Sequence, residues 1–477
     1  MKQSQSVLSC YAADLFGIAS ALYELGGLVV MHDASGCNST YSTHDEPRWY
    51  DTPSMVYISG LNEIDTVQGN DSRLIDHIAE AAEETHPNFI AVGGSPLPNA
   101  IGTDFRALAR LVERRTGIPT LGFRTDGIHS YLAGAGEAFL AIARRFVKDP
   151  AARSEVSDTG DSSVQSFNEK GMDDAALLDD GGMTGRSTMT IWGEGKGRLM
   201  SADFVDTGTC KEGKRHIKVN LIGATPLDFS VVGNVVEMKK ILREHALELV
   251  SCWAMGSSFE EIEASARADV NCVISSTGFP AAKYLKEAYR IPYVIGIPIG
   301  ASGIRRWIRQ IEMAAGERVE EKNRESARTK AGKSAGEKSN PSLLTGLDAW
   351  KAGELSPDQA ELLIIGEPVC LASMKAYLEA EHGLSKIRLL CPFPDAPKEL
   401  TAQMNLVTVE DAIREECKKA RYVLADPIYA RLMPGEPEKF LPLPHEAFSG
   451  RFYRDQIPRF VGGGLSPTPL ERLLQTL

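Results

Sequence analysis

Two cysteines raise the question of chemistry. Cys10 stands just ahead of a helix-forming stretch, Leu15 to Leu25. Cys37 ends the segment His32-Asp33-Ala34-Ser35-Gly36-Cys37, which follows the apolar run Leu28–Met31. A thiolate is a soft ligand suited to iron–sulfur clusters and zinc, and Gly36 lets the backbone approach a ligand closely. The same placement suits two ordinary free thiols, and spacing alone does not choose between these readings. His32 and His44 flank Cys37 and read as supporting donors, alternate ligands or plain polar loop residues. His445 lies in Pro442-Leu443-Pro444-His445-Glu446-Ala447-Phe448-Ser449-Gly450-Arg451, a loop stiffened by its prolines. An imidazole titrates at about pH 6.5, so His445 suits proton donation to a substrate, or it is a structural loop histidine. Gly127-Ile128-His129-Ser130-Tyr131 is a further stretch able to line a cavity. Arg305-Arg306 read as partners for an anionic ligand or, more simply, as a solvated helix face.

Common signatures are missing from the sequence. No Gly-x-Gly-x-x-Gly opens a helix after the first strand of any block, and there is no Gly-x-x-x-x-Gly-Lys-Ser/Thr. Neither a standard dinucleotide fingerprint nor a phosphate-binding loop is therefore expected, so this chain is not expected to hydrolyse ATP itself. No Cys-x-x-Cys or His-Glu-x-x-His occurs, which argues against a local zinc site. Cys272 reads as a buried strand cysteine. Cys210, Cys252, Cys370, Cys391 and Cys417 have no mutual spacing that suggests a site.

The elements that must hold these residues alternate between short apolar strands and amphipathic helices. The pattern gives strands at 28–31, 89–92, 120–121, 219–223, 247–250, 270–274, 291–295, 362–366, 387–390 and 422–425. Helices are expected at 71–84, 105–115, 236–245, 281–288 and 372–381. Such alternation implies an α/β fold of parallel, doubly wound sheets: three Rossmann-like domains with ligands bound outside the carboxyl ends of the strands. Two stretches break the pattern. Residues 151–186 hold eight acidic against three basic residues and few large apolar groups, which suits a flexible acidic insertion. Residues 317–338 hold seven basic and five acidic residues before Ser339-Asn340-Pro341, which suits a solvated helix end running into a charged linker. The expected organisation is thus domains at 1–150, 187–316 and 342–477, with an insertion at 151–186 and a linker at 317–341.

The 477 residues agree with about three domains. With 43% apolar and 24% charged residues, disorder is excluded as the main state. A net charge of −12 argues against nucleic acid or an anionic membrane as partner. No apolar run approaches the ~18 residues of a membrane span, and the segment from Met1 to Asp14 lacks the layout of a secretory signal, so a cytoplasmic location is expected. Eight cysteines are too sparse for a disulfide scaffold.

The run Cys10 … Ala21-Leu22 … Val29-Val30-Met31-His32 … Gly36-Cys37 resembles the amino-terminal signature of nitrogenase component 1-type proteins. That family takes in the nitrogenase α and β subunits, their cofactor-assembly scaffolds, and protochlorophyllide and related tetrapyrrole reductase subunits. Glu63 … Gly69-Asn70-Asp71 and Ile101-Gly102-Thr103-Asp104 are similar to later family segments in the first block. Val219–Gly223, Ala268–Asn271, Tyr289–Tyr293 and Pro298-Ile299-Gly300 are similar to those in the second, and His445 … Ser449-Gly450 to the last. The ordered matches cover all three blocks. The resemblance implies a cluster role for Cys10 and Cys37. It also implies an ATP-dependent partner like the nitrogenase iron protein, docking near them and driving low-potential electrons onto the cluster. A small molecule in an interdomain cleft would be reduced, with His445 as candidate proton donor. Asp33, Asp45 and Glu46 are noted because a carboxylate replaces one cysteine in some relatives.

The departures narrow this expectation. Pro96 stands where the α and β subunits have a third cysteine, so each chain offers two thiolates. Two chains supply four, the complement of one bridging [4Fe–4S] cluster in a homodimer, with a paralogous subunit as the variant. Ser275 stands where a cysteine anchors the nitrogenase cofactor, and the spacing from His445 to Ser449-Gly450 is one residue short. No molybdenum–iron cofactor, and no dinitrogen reduction, is expected. The alternative function is a non-catalytic scaffold for iron–sulfur cofactor assembly, served by the same cysteines.

Overall fold

The computed structural model of the chain describes residues 12–34, 45–52, 55–69, 71–148, 216–330 and 361–463, with side chains in the helix ending at residue 330 described through residue 320. Among the described residues thirteen strands lie in three sheets. The first holds β1 (Leu28–His32), β2 (Val56–Ile58), β3 (Ile90–Gly94) and β4 (Thr120–Gly122) in the order β2-β1-β3-β4. The second holds β5 (Ile217–Ile222), β6 (Leu247–Cys252), β7 (Val270–Val273) and β8 (Tyr293–Ile295) in the order β6-β5-β7-β8. The third holds β9 (Leu362–Ile365), β10 (Ile387–Cys391), β11 (Asn405–Leu406), β12 (Tyr422–Ala425) and β13 (Phe440–Pro442) in the order β11-β10-β9-β12-β13. Every strand pair is parallel. The first strand of each set sits inside its sheet and the chain winds outward to both sides, as a doubly wound sheet requires.

The strand sequences explain the layering. Successive side chains point to opposite faces. In the first sheet Leu28, Val30, Ile90 and Val92 face one core with Leu74, Ile78, Leu108 and Val112, from the helices Asp71–Thr85 and Phe105–Thr116. Val29, Met31 and Ala91 face the other way, into the main core with Leu15, Ile18, Phe139 and Ile142. Those last four come from the helices Asp14–Leu22 and Tyr131–Phe146. The two helices touch backbone to backbone. A Cβ on Gly134 would lie 1.8 Å from the Asp14 carbonyl oxygen, and one on Gly17 would lie 2.2 Å from that of Tyr131.

The described residues belong to one compact unit. A buried arginine ties its first two sheets together. Arg48 donates to both carboxylate oxygens of Glu46 at 2.7 and 3.1 Å, to the Ala254 carbonyl at 2.6 Å and to the Ser20 carbonyl at 2.8 Å, and pairs with Glu24 at 3.2 Å. Glu24 in turn accepts the Gly256 N–H at 2.6 Å.

Several elements differ from the sequence expectation. The helix expected to end in a linker runs unbroken from Gly300 to Lys330, because neither Gly nor Pro interrupts it after Gly316. The helix Tyr131–Phe146 gives no clear stripe in the sequence, since ten of its sixteen residues are buried and two of them are glycines. β2, β11 and β13 are only two or three residues long. The expected insertion at 151–186, and residues 331–341 of the expected linker, lie outside the described residues. Among the described residues no helix is long and apolar enough to cross a membrane.

Candidate functional site

Five polar residues meet just beyond the carboxyl ends of strands in the second and third sheets, the usual place for chemistry in such sheets. Asp228 lies in the short helix Pro226–Phe229 that follows β5, and Ser275 follows β7. Glu367 follows β9 and caps the helix Pro368–His382. Asp426 follows β12, and His445 follows β13 and precedes the helix Glu446–Tyr453. The short strand-to-helix turns leave each side chain at the sheet edge.

Asp228 is the hub. Its Oδ1 accepts the Tyr131 hydroxyl at 2.6 Å and lies 3.6 Å from His445 Nε2, while its Oδ2 accepts the Ser275 hydroxyl at 2.6 Å. One carboxylate therefore gathers residues from elements belonging to all three sheets. Glu367 accepts the backbone N–H groups of Ser276 at 2.8 Å and Cys370 at 2.7 Å. Asp426 accepts the Ser449 hydroxyl at 2.6 Å and the His445 backbone N–H at 2.8 Å. Phe448 and Tyr131 pack on the His445 ring at 5.5 and 6.2 Å, and Phe393 packs on both of them. Two buried polar atoms here have no hydrogen-bond partner: His445 Nδ1 and Ser276 Oγ.

Burial sets the electrostatics. It pushes the Glu367 carboxyl from 4.5 up to about 7, with the Asp228 charge adding to the effect and the hydrogen bonds opposing it. Burial likewise raises Asp426. For His445 burial favours the neutral ring, but the facing carboxylates of Asp228, Asp426 and Glu367 outweigh it and the net shift is upward. A protonated His445 turns its Nε2–H toward Asp228. Its Nδ1 is buried and has no hydrogen-bond partner in the protein.

Cys10, Cys37, His44 and Cys210 lie outside the described residues. The chain on either side of the first two is informative. Asp33, at the end of β1, accepts the Ser95 hydroxyl at 2.5 Å. Pro96, the next residue, opens a short helix and packs on Gly127, where a Cβ would lie 2.7 Å from the proline Cδ. The Gly127 N–H donates to Asp14 at 3.0 Å. The approaches to Cys10 and to Cys37 therefore meet at Ser95-Pro96. The carboxylates noted as alternate ligands have other work: Asp33 holds Ser95, Asp45 pairs with Arg451 at 3.4 Å, and Glu46 pairs with Arg48. His32 is buried, hydrogen-bonded through Nδ1 to Ser59 at 2.8 Å, and burial lowers its pKa. It also borders a polar cleft of about 440 Å³ with His77, Asp65, Asp71, Arg73 and Asp104.

Ser275, at the expected cofactor-anchor position, is occupied by Asp228, and the structure brings it into one network with His445. Of the segment 127–131, Tyr131 joins this network, while the exposed His129 pairs with Asp126 at 2.9 Å. Arg305 and Arg306 are exposed on their helix. Cys252, Cys272, Cys391 and Cys417 are buried and Cys370 is half-buried, and burial raises all five thiols, so they are poor nucleophiles. The sequence reading missed Asp228, Glu367 and Asp426. A signal was present: each follows a strand within a few residues, and Glu367 stands directly before Pro368, where a helix takes its cap.

The family model described as nitrogenase component 1 type oxidoreductase matches residues 18–341. Curated relatives include a light-independent protochlorophyllide reductase subunit of Leptolyngbya boryana, 34% identical over 95 residues, which is 20% of this chain and 19% of that protein. The corresponding protein of Prochlorococcus marinus strain MIT 9312 is 29% identical over 117 residues, 24% of this chain and 22% of that protein. The chain thus matches about a fifth of the length of these relatives. Among solved structures, nitrogenase Cp1 at pH 6.5 superposes with a TM-score of 0.58 at 14% identity, covering 100% of this chain and 93% of that one. The same protein at pH 5 gives 0.56. The likeness to these structures is one of fold, and the family match extends over more than half of the sequence. This chain belongs to the nitrogenase component 1 type oxidoreductase family.

Proposed function

We propose that the protein is the catalytic component of an iron–sulfur reductase. It would receive low-potential electrons from a separate ATP-dependent reductase and reduce a small unsaturated molecule, of which a tetrapyrrole ring is the leading class, rather than dinitrogen. The observation that carries this reading is the meeting of Asp14, Gly127, Ser95-Pro96 and Asp33 in one place. Cys10 precedes Asp14 by four residues and Cys37 follows Asp33 by four, a reach of at most about 14 Å on either side. Both thiols can therefore reach one locality, beside which Pro96 contributes no ligating atom. Two thiolates per chain, shared across a dimer, suit one [4Fe–4S] cluster, and a paralogous subunit is the variant partner. Such a cluster supplies single electrons at low potential.

The chain's own residues handle the proton. Asp228 Oδ1 faces His445 Nε2 at 3.6 Å, which favours the protonated form of the ring that serves as proton donor. Tyr131 and Phe448 pack on the ring, and Phe393 packs on both of them. Ser275 presents a hydroxyl already donated to Asp228, which does not suit it to anchor a metallocofactor.

The test is anaerobic turnover of a tetrapyrrole by this protein with its ATP-dependent reductase. Loss of substrate should require ATP and fall about 100-fold or more in His445→Gln at unchanged iron content. If no candidate compound is consumed while bound iron passes to an acceptor protein, the chain is an assembly scaffold instead.

A further inference from the structure

We propose that Glu367 is a second working acid of this site, a positioning residue that governs the protonation of His445 from across Asp228. This rests on the reading of His445 as the proton donor and adds to it. Glu367 is 2% exposed, at the end of β9, while His445 follows β13 in the same sheet. The two are linked through one turn of the second sheet. Its Ser275 hydroxyl holds Asp228, and its Ser276 N–H holds Glu367. Ser276 Oγ, buried beside them, has no partner. Three carboxylates and one imidazole therefore share a closed, low-dielectric space, where each charge strongly shifts the others.

The groups that face the pair are Asp228, Asp426, Tyr131, Cys370 and Cys391. Burial keeps both thiols neutral. The same burial lifts Glu367 to about 7, and the facing carboxylates raise His445 above its ordinary value. The charge on Glu367 therefore sets how readily the ring gains or releases its proton, acting through the field in this closed space rather than by contact. The ionised Glu367 carboxylate keeps the N–H bonds of Ser276 and Cys370 and sits at the N-terminus of a fifteen-residue helix, which favours negative charge.

The test is a pH titration of ¹⁵N-histidine-labelled protein by NMR, with His445→Gln assigning the resonance. Wild type should show the His445 transition with a second inflection near pH 7. Glu367→Gln should leave a single transition, lower by about one unit, because an anion facing the ring has gone. Glu367→Asp should restore the two-step curve. In an infrared titration a protonated-carboxyl band should disappear at about pH 7 in wild type and be missing in Glu367→Gln, which separates it from the raised carboxyls of Asp14, Asp426 and Glu137. An unmoved His445 transition in folded Glu367→Gln, or no protonated-carboxyl band in wild type that Glu367→Gln removes, overturns the proposal. Neither readout needs turnover. Lost turnover with intact coupling would count against the reductase reading alone, and lost coupling with intact turnover against this inference alone.

Discussion

Glu367 makes a prediction about folding that can be worked from its surroundings. Its carboxyl is moved from 4.5 to about 7 by burial and by the Asp228 charge. A carboxyl raised on folding adds stability at low pH and loses it as pH climbs through the folded value. At about 1.4 kcal/mol per unit, the full contribution is about 3 kcal/mol, and about 2 to 3 kcal/mol of it falls between pH 5 and 8. Glu367→Gln removes this dependence and costs about 1–3 kcal/mol at pH 5, because the amide NH₂ cannot accept one of the two backbone N–H bonds, and the gap to wild type narrows as pH rises. Urea unfolding of both proteins at pH 5 and pH 8 separates the two effects. Wild type should lose about 2 to 3 kcal/mol more than the variant across that interval. Equal losses in the two proteins would show that Glu367 is already ionised at pH 5 and refute the reasoning.

Asp228→Asn removes the anion that faces His445 and the acceptor shared by Tyr131 and Ser275. The His445 transition should move to lower pH, and stability should fall by about 3 kcal/mol in urea unfolding at pH 6. Arg48→Met leaves the buried Glu46 carboxylate without its main partner and should cost about 3–5 kcal/mol. Arg48→Lys should not restore it, since an ammonium cannot span Glu46, Ala254 and Ser20 at once; chemical denaturation checks both. Gly134→Ala forces a methyl against the Asp14 carbonyl and should lose about 2 kcal/mol or more, read as a lower thermal midpoint.

The doubly wound class was legible because β1, β3, β9 and β10 are buried on both faces and so read as continuous apolar runs. The short strands β11 and β13 lack that run, and the helix Tyr131–Phe146 hides its pattern by being buried on most sides. The site divides in the same way. His445 and Ser275 were found because they stand at positions of a recognisable pattern. Asp228 and Glu367 were not, because a single acid after a strand looks like any capping residue. Only the packing of the second and third sheets turns those acids toward one histidine. The alternate-ligand readings of Asp45 and Glu46 depended on their partners, Arg451 and Arg48, the first of which lies near the far end of the sequence.

The central claim is that Cys10 and Cys37 of two chains hold one four-iron cluster. Iron and acid-labile sulfide analysis of anaerobically purified protein, with its mass in solution, tests it most directly. About four irons per two chains are expected, with loss of that iron in both Cys10→Ser and Cys37→Ser while the fold persists by circular dichroism. Fewer than about two irons per dimer, or iron content unchanged by both substitutions, would contradict it.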